Sequence, residues 1–255
     1  MSDGPKDIDE LLAIPELAPI APALRQQILP ALRMRHAPGL PRPVDDTPPG
    51  ADKLGGLADV PRSLADPIYR RRRLVLQLDL ARAHALVPGL TLPRQGLLHV
   101  LHDTETDTDD ARAIALRVVT VDEPLRREPG PKFTHRARPL TLELEQTLPD
   151  TDDPALAGVG FPEDDDEVTF EAWFQARGAL RRPPTHRLLG WPDWVQDPSL
   201  PDPPAPARGW RLLPQIDSAG NGLDWGDSGC LYIFLPDLDF YAGRLDRAHI
   251  FSQSC

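Results

Sequence analysis

The sequence has few cysteines, few aromatic residues and no long apolar run, and each shortage excludes a class of protein. Two cysteines, Cys230 and Cys255, are too few for a disulfide framework and favour a reducing compartment. No stretch reaches the roughly 20 apolar residues of a membrane helix. Residues 1–10 are acidic and lack the apolar core of a signal peptide. We therefore expect a cytoplasmic protein with no membrane contact.

Basic charge is also scarce. The chain has 28 Lys and Arg against 39 Asp and Glu, a formal net charge of −11. Binding to a phosphate backbone needs a basic face, so we predict no nucleic-acid partner. The one basic run, residues 70–73, stands directly before a strand-like segment. We interpret it as the solvated start of that strand, with contact to an anion or an acidic partner as the alternative.

The motifs of the common catalytic sites are missing as well. The sequence contains no Gly-x-Ser-x-Gly elbow and no zinc-type His/Cys spacing. His99 and His102 fall in a strand-like segment, where odd spacing sends side chains to opposite faces. The pair Gly55-Gly56 marks a tight turn, or else lets the backbone approach a ligand closely, but no phosphate-loop Lys follows it. We predict no metal and no cofactor.

Proline is plentiful, with 31 among 255 residues, and its clusters mark rigid loops. The remaining patterns predict an α+β fold with a sheet-rich core and helices mainly at the N-terminus. An N-terminal helical and Pro-rich arm, residues 1–52, is expected to pack on an α+β domain formed by residues 53–255. Helices are predicted over 7–14, 23–35 and 168–177, the last favoured over a strand. Strands are predicted over 74–80, 96–102, 113–121, 141–144, 210–217, 229–235 and 249–251.

Two segments of the chain share one pattern. In the first, Gln77-Leu78-Asp79 ends an apolar strand and Gly96 opens the next. In the second, Gln215-Ile216-Asp217 is followed by Gly229. The intervening loops differ in length, which costs little free energy. Because each unit has an apolar face that it cannot bury alone, we predict two pseudo-repeated β-hairpin units in one core.

The repeated pattern supplies four candidate contact residues, Gln77, Asp79, Gln215 and Asp217. If the two units pack about a pseudo-twofold axis, the carboxylates of Asp79 and Asp217 occupy equivalent places. Converging carboxylates would bind a cation or act as an acid/base pair. The alternative is that each Asp ends its strand by accepting N–H groups of the following turn.

Three further candidates lie in the Trp-rich last third of the chain. Trp191 forms either the aromatic lip of a pocket or packing over the sheet. Trp225-Gly226-Asp227-Ser228-Gly229 is interpreted as a structured turn, in which Asp227 accepts turn N–H groups and Trp225 covers the strand end. We treat Trp191, Trp225 and Asp227 as ligand or partner contacts.

Six strings in this order resemble the YwqG-like family of bacterial proteins. They span residues 53 to 235, most of the chain: Lys53-Leu54-Gly55-Gly56-Leu57, Leu76-Gln77-Leu78-Asp79, Gly96-Leu97-Leu98, residues 186–192, residues 213–217 and residues 225–232. Pro214 and Ala58 depart from the family pattern. The resemblance implies a single α+β domain with a sheet-rich core. It implies no catalytic residues, because none are established for the family, and it leaves room for an immunity-like role.

These observations favour an acidic, non-catalytic binding module that recognises a protein partner, perhaps a basic one. The net charge and the acidic segments 103–110 and 149–167 would attract such a partner over a distance. The alternative, an enzyme that hydrolyses or otherwise acts on a small ligand, requires Asp79 and Asp217 within about 10 Å of each other.

Overall fold

One large antiparallel sheet organises the chain. The computed structural model describes residues 5–37, 39–40, 46–87, 90, 92–103, 105–106, 113–132, 134–150, 153–161, 166–196, 206–218 and 223–255. The acidic segments 103–110 and 149–167 and the loop 217–229 therefore lie partly outside the described residues.

The strands of the described residues are β1 (Leu29–His36), β2 (Lys53–Leu54), β3 (Asp59–Pro61), β4 (Arg73–Asp79), β5 (Leu97–His102), β6 (Ile114–Val119), β7 (Leu125–Arg127), β8 (Arg138–Thr147), β9 (Arg187–Leu189), β10 (Trp210–Asp217), β11 (Cys230–Pro236) and β12 (His249–Gln253). The helices are α1 (Ile8–Leu12), α2 (Ala21–Gln26), α3 (Ile68–Arg71), α4 (Leu80–Leu86), α5 (Asp166–Leu180) and α6 (Asp237–Tyr241).

The large sheet has ten strands in the order β12-β11-β10-β9-β1-β8-β2-β4-β5-β6, while β3 and β7 pair separately. Its central pair is β1 and β8, which lie far apart in sequence. On its outer side β1 pairs with β9, and β8 pairs with β2. Every pairing is antiparallel. This confirms the predicted α+β fold with a sheet-rich core.

The sheet curves until distant strands approach each other. The ring of Trp225, which follows β10, lies 5.4 Å from the ring of His102 at the end of β5. Strand β6 at one edge contacts the 3-10 helix Leu245–Arg247, which precedes β12 at the other edge. The concave face therefore encloses a continuous apolar core to which strands from both halves contribute.

Period-two alternation explains why these segments form strands. Leu76 and Leu78 of β4 point into the enclosed core, as do Leu231 and Ile233 of β11. On the opposite side, the amphipathic helices α1, α2 and α5 bury a separate cluster around Trp173. The predicted strands of β4, β5, β6, β8, β10, β11 and β12 are confirmed.

The predicted helix over 23–35 is wrong beyond its first turn. Helix α2 ends at Gln26, and Leu29–His36 is strand β1. Leu24, Ile28 and Leu32 recur every four residues and imitate a helical stripe. Ladder hydrogen bonds to β8 and β9 on both sides override that local preference, as tertiary context commonly does.

The described helices are spread along the chain and do not lie mainly at the N-terminus as predicted. Helices α1 and α2 are N-terminal, but the longest, α5 with 15 residues, lies between β8 and β9. Its formation confirms the helix predicted over 168–177. The division into an arm, 1–52, and a domain, 53–255, stays a prediction. Within the described ranges no helix is both long and apolar enough to cross a bilayer.

Candidate functional site

Gln77 lies at the centre of a buried polar network, which we call the Gln77 network and which comprises Lys53, Asp59, Gln77 and His99. Gln77 Nε2 donates to Asp59 Oδ2 at 2.7 Å and to the Ala51 carbonyl at 2.9 Å. The Asp59 backbone N–H donates to Gln77 Oε1 at 2.9 Å. The Lys53 ammonium is 3.1 Å from the same carboxylate. All four side chains are fully buried.

Gln215 is the centre of a second network, the Gln215 network, formed by Arg177, Arg187, Asp193 and Gln215. The Asp193 backbone N–H donates to Gln215 Oε1 at 2.9 Å, and Gln215 Nε2 donates to the Thr185 carbonyl at 3.0 Å. Arg187 forms an ion pair with the Asp193 carboxylate, as Lys53 does with Asp59. Arg177 donates to the other carboxylate oxygen at 2.6 Å.

The hairpins that carry the two networks have matching registers. Gln77 stands opposite His99 and Asp79 opposite Leu97, while Gln215 stands opposite Tyr232 and Asp217 opposite Cys230. Each hairpin has a bulge at the corresponding place, between Leu74 and Leu76 in one and between Leu212 and Gln215 in the other. Pro214, which cannot donate to the ladder, falls within the second bulge.

Burial and neighbouring charges shift the pKa of one group in each network, His99 and Asp193. Burial lowers the pKa of His99 to about 3, so its ring is neutral near pH 7. Burial raises the pKa of Asp193, but Arg187 and Arg177 outweigh burial and hold that pKa well below its usual range. Both Gln side chains have further partners, since Gln77 Oε1 lies 3.1 Å from His99 Nε2 and Gln215 Nε2 donates to the Thr185 hydroxyl at 2.9 Å. The hydrogen bonds and ion pairs of the two networks therefore hold the segments after β2 and β9 against the sheet.

Asp79 and Asp217 each end a strand, but among the described residues only Asp79 binds N–H groups of the following turn as the alternative interpretation expected. Asp79 caps helix α4 by accepting the Ala81 N–H at 2.9 Å, and it pairs with Arg82 at 3.3 Å. Asp217 accepts the Thr185 N–H at 3.0 Å. Four strands separate β4 from β10 in an antiparallel order, so these two strands run in opposite directions. Their carboxylates therefore lie at opposite ends of the sheet, and the structure does not bring them together.

The ends of β4 and β10, at Asp79 and Asp217, are bound by different types of residue. Asp52 Oδ1 accepts the Asp79 N–H at 2.7 Å, and Asp52 Oδ2 lies 3.1 Å from Arg82. Burial raises the pKa of Asp52 to about 6, and the Asp79 N–H and Arg82 offset only part of that effect. In the other half, His186 Nδ1 accepts the Asp217 N–H at 3.0 Å. A surface groove of 420 Å³ passes Asp79 and Arg82.

The remaining three candidates lie in different surroundings. Trp191 is buried and its indole N–H donates to the Gln27 carbonyl, so it packs over the sheet. Trp225 is buried in the enclosed core, where its ring contacts His102. Asp227 is exposed, and its backbone carbonyl accepts the Cys255 N–H at 2.9 Å. The role of all seven candidates in binding stays a prediction.

Sequence reasoning missed the ion pairs of the two networks, although a signal was present. Lys53 and Asp59 are six positions apart, and so are Arg187 and Asp193. The two strings, residues 53–59 and 187–193, also align through Gly56 and Gly190, which both have positive φ angles. No group of three or more His, Cys, Asp or Glu side chains in the part of the chain that the structure describes is arranged to hold a metal ion.

Comparison with known proteins places the chain in a family. No curated protein matches it. Residues 52–255 match the model of a family described as a domain of unknown function, DUF1963. That match begins at the buried residue before β2 and includes both networks. It covers most of the chain, and the protein therefore belongs to the DUF1963 family.

Proposed function

We propose that this protein is a non-catalytic binding module that recognises a basic and partly apolar segment of another protein through the exposed face of α5. The observation that carries the proposal is an exposed aromatic row on that helix. Phe170 and Phe174 are 42% and 51% exposed, and Val168 is 59% exposed. Apolar side chains of this size grouped on one helix commonly mark an interaction site.

The position of α5 supports this role. The helix lies in the connection between β8 and β9, whereas the corresponding connection between β1 and β2 contains no helix among its described residues. Its other face, which includes Trp173 and Ala176, packs on α1 and on the 3-10 helix Pro15–Leu17. Stability therefore explains the buried face of the helix but not the exposed one.

Charge beside the aromatic row indicates the chemistry of the partner. Glu167 and Glu171 are exposed, and each lies three residues before a phenylalanine on the same side of the helix. A groove of 480 Å³ continues the row and is lined by Phe174, Trp194 and Val195, while Asp150, Arg177 and Arg181 also line it. Apolar side chains flanked by carboxylates complement an amphipathic segment that carries Lys or Arg.

The test begins with the immobilised protein in cell lysate at low salt. A captured protein is identified, purified and titrated against the wild type, against Phe170→Ser/Phe174→Ser and against Leu238→Ser. Leu238 is exposed on α6, away from the groove, and serves as the matched control. We expect the double substitution to weaken binding about thirtyfold or more, because central aromatic residues dominate interfaces.

Two outcomes would contradict this function. If no protein is retained at low salt, the module has no partner of the proposed kind. If the purified partner binds Phe170→Ser/Phe174→Ser as tightly as wild type, α5 is not the site. We do not carry forward an enzyme with paired carboxylates, because Asp79 and Asp217 lie at opposite ends of the sheet.

We also propose that the chain contains two copies of one unit. The first strand of each copy, β1 or β8, would lie in the half of the sheet that the other copy forms. Strands β1, β2, β4, β5 and β6 would correspond to β8, β9, β10, β11 and β12, in agreement with the sheet order read from either edge. The matched contacts of the Gln77 and Gln215 networks support the correspondence. Membership in the YwqG-like branch and a cytoplasmic location are parts of the same proposal. Two free cysteines, Cys230 and Cys255, are consistent with that location.

A further inference from the structure

Several buried nitrogen atoms near one end of the enclosed core have no hydrogen-bond partner among the described residues. They are His102 Nδ1 and Nε2, Trp225 Nε1, Arg73 Nε and Arg138 Nε. His102 and Trp225 are only 7% and 4% exposed, and their rings are in contact. Buried polar groups are nearly always paired, so a cluster of unpaired ones indicates that water or a bound species supplies the missing partners.

The strand registers place these side chains at one end of the sheet. Arg73 at the start of β4 stands directly opposite His102 at the end of β5, so both point to the same face. Arg138 at the start of β8 stands opposite Leu54, whose side chain belongs to the enclosed core. The start of β8, the start of β4 and the end of β5 coincide in the antiparallel order. We call this set of Arg73, His102, Arg138 and Trp225 the basic end.

The basic end contains two arginines although the protein as a whole is acidic. Neither Arg73 nor Arg138 forms an ion pair with any described residue. Burial, together with the charges of His135, Arg73 and Arg72, lowers the pKa of His102 to about 4, and Asp103 acts in the opposite direction. Burial and Arg138 likewise lower the pKa of His36, with Asp217 opposing them.

The opposite end of the core has a different character. The cavity there holds 110 Å³ and is lined largely by apolar side chains, including Val87, Leu90 and Phe240. Arg211 at its edge pairs with Asp237 at 2.7 Å, so its charge is matched. Arg73 and Arg138 have no such pair among the described residues, so the two ends of the core differ in how their arginines are bound.

We propose that the basic end is a binding site for an anion that carries a phosphate or a carboxylate group. Arg73 and Arg138 supply charge-assisted hydrogen bonds, and the indole N–H of Trp225 supplies a neutral one. The neutral His102 ring adds one further donor through either nitrogen. This site is distinct from the face of α5 and does not depend on the proposed protein partner.

The test compares the full chain in chloride, acetate and phosphate at pH 7 and matched ionic strength. We expect phosphate or acetate to raise the Tm relative to chloride, and the effective salt identifies the group that is bound. Calorimetric titration then gives the Kd for that anion. Arg73→Met and Arg138→Met should each weaken binding about tenfold, since each removes one charged donor pair.

Controls separate binding from folding. Arg35→Met removes an exposed arginine of β1 that pairs with Glu143 on the other face, and its Kd should equal that of wild type. Trp225→Phe keeps the aromatic packing, removes only the indole N–H and should also weaken binding. Equal Tm values in all three salts would overturn the proposal. An anion effect that persists in Arg73→Met, Arg138→Met and Trp225→Phe would overturn it as well.

Discussion

Gln77 forms two hydrogen bonds with Asp59. Its amide NH₂ donates to the Asp59 carboxylate at 2.7 Å, and its amide oxygen accepts the Asp59 N–H at 2.9 Å. Gln215 accepts the N–H of Asp193 in the same way, at 2.9 Å. An amide side chain donates through its nitrogen and accepts through its oxygen without adding charge. This explains why the same residue type stands at the corresponding position in both hairpins.

We predict that Gln77→Ala and Gln215→Ala each lower the free energy of unfolding by about 2 to 4 kcal/mol. Each change leaves a buried backbone N–H and carbonyl without partners, which costs more than the lost hydrogen bonds alone. Urea denaturation followed by circular dichroism measures the effect. Gln146→Ala, at an exposed position of β8, is the control and should change stability by less than about 0.5 kcal/mol. Equal effects at all three positions would contradict a structural role for the networks.

The strands could be predicted from the sequence because their signal is local. Leu76 and Leu78 alternate with polar residues, and the alternation alone identifies β4 and its buried face. Strand β1 has no such signal. Its segment Leu29–His36 is held by partners more than 100 positions away, which no window of sequence contains.

The candidate sites were predicted less well, for a related reason. Repetition in the sequence singled out Gln77 and Gln215, but not their partners Asp59 in β3 and Asp193 after β9, whose positions depend on the whole sheet. The basic end is the clearest example, since Arg73 and Arg138 lie at the same end of the sheet only because β4 and β8 both pair with β2. A curved sheet creates such neighbours through pairing order, which local periodicity does not specify.

Asp52 should make stability depend on pH between about 4 and 6. Its pKa is about 6 in the folded protein, above the ordinary value of 3.8, so the folded state binds the proton more tightly. Protonated Asp52 therefore contributes to the free energy of unfolding below pH 4, and this contribution is lost as the pH rises through 6. The variant Asp52→Asn has no carboxyl group to titrate, so its stability does not show this loss. The free energy of unfolding of the variant relative to wild type should rise by up to about 3 kcal/mol from pH 4 to pH 7.

Urea denaturation at several pH values measures that difference. Asp246→Asn, at a largely exposed carboxylate, is the control and should give a flat difference over the same range. A difference for Asp52→Asn that stays constant or falls with pH would show that Asp52 is already ionised in the folded protein at pH 4.

Removing the charge of Asp193 should be strongly destabilising. Arg177 and Arg187 are both buried and both bind its carboxylate. Asp193→Asn keeps the volume but leaves two buried guanidinium groups without their shared counter-ion, which we expect to cost about 3 to 5 kcal/mol. Asp239→Asn breaks the exposed pair with Arg244 and should cost less than about 1 kcal/mol. Thermal and urea unfolding measure the loss of stability in each variant. Similar losses in Asp193→Asn and Asp239→Asn would contradict the claim that burial makes the ion pairs of Asp193 more important.

Two glycines should respond to alanine in opposite directions. Gly190 has a φ of +72°, and a Cβ there would stand 2.5 Å from Thr147 Oγ1 and 2.7 Å from the Ala31 Cβ. Thr147 Oγ1 also links the turn to β1, because it accepts the Trp191 N–H and donates to the Leu29 carbonyl, each at 2.9 Å. Gly190→Ala should therefore destabilise the fold by about 2 kcal/mol or more through strain and loss of this link.

Gly178 is the second of the two glycines, and its surroundings differ from those of Gly190. It lies inside α5, and a Cβ there would have no neighbour within 4 Å. Gly178→Ala should raise the free energy of unfolding by up to about 1 kcal/mol, because alanine restricts the unfolded chain and is the better helix former. Urea denaturation of the two variants and of wild type measures the expected decrease and the expected increase in the free energy of unfolding. Destabilisation by Gly178→Ala would mean that α5 departs from helical geometry at this position. No loss from Gly190→Ala would mean that β9 and Thr147 can separate without cost.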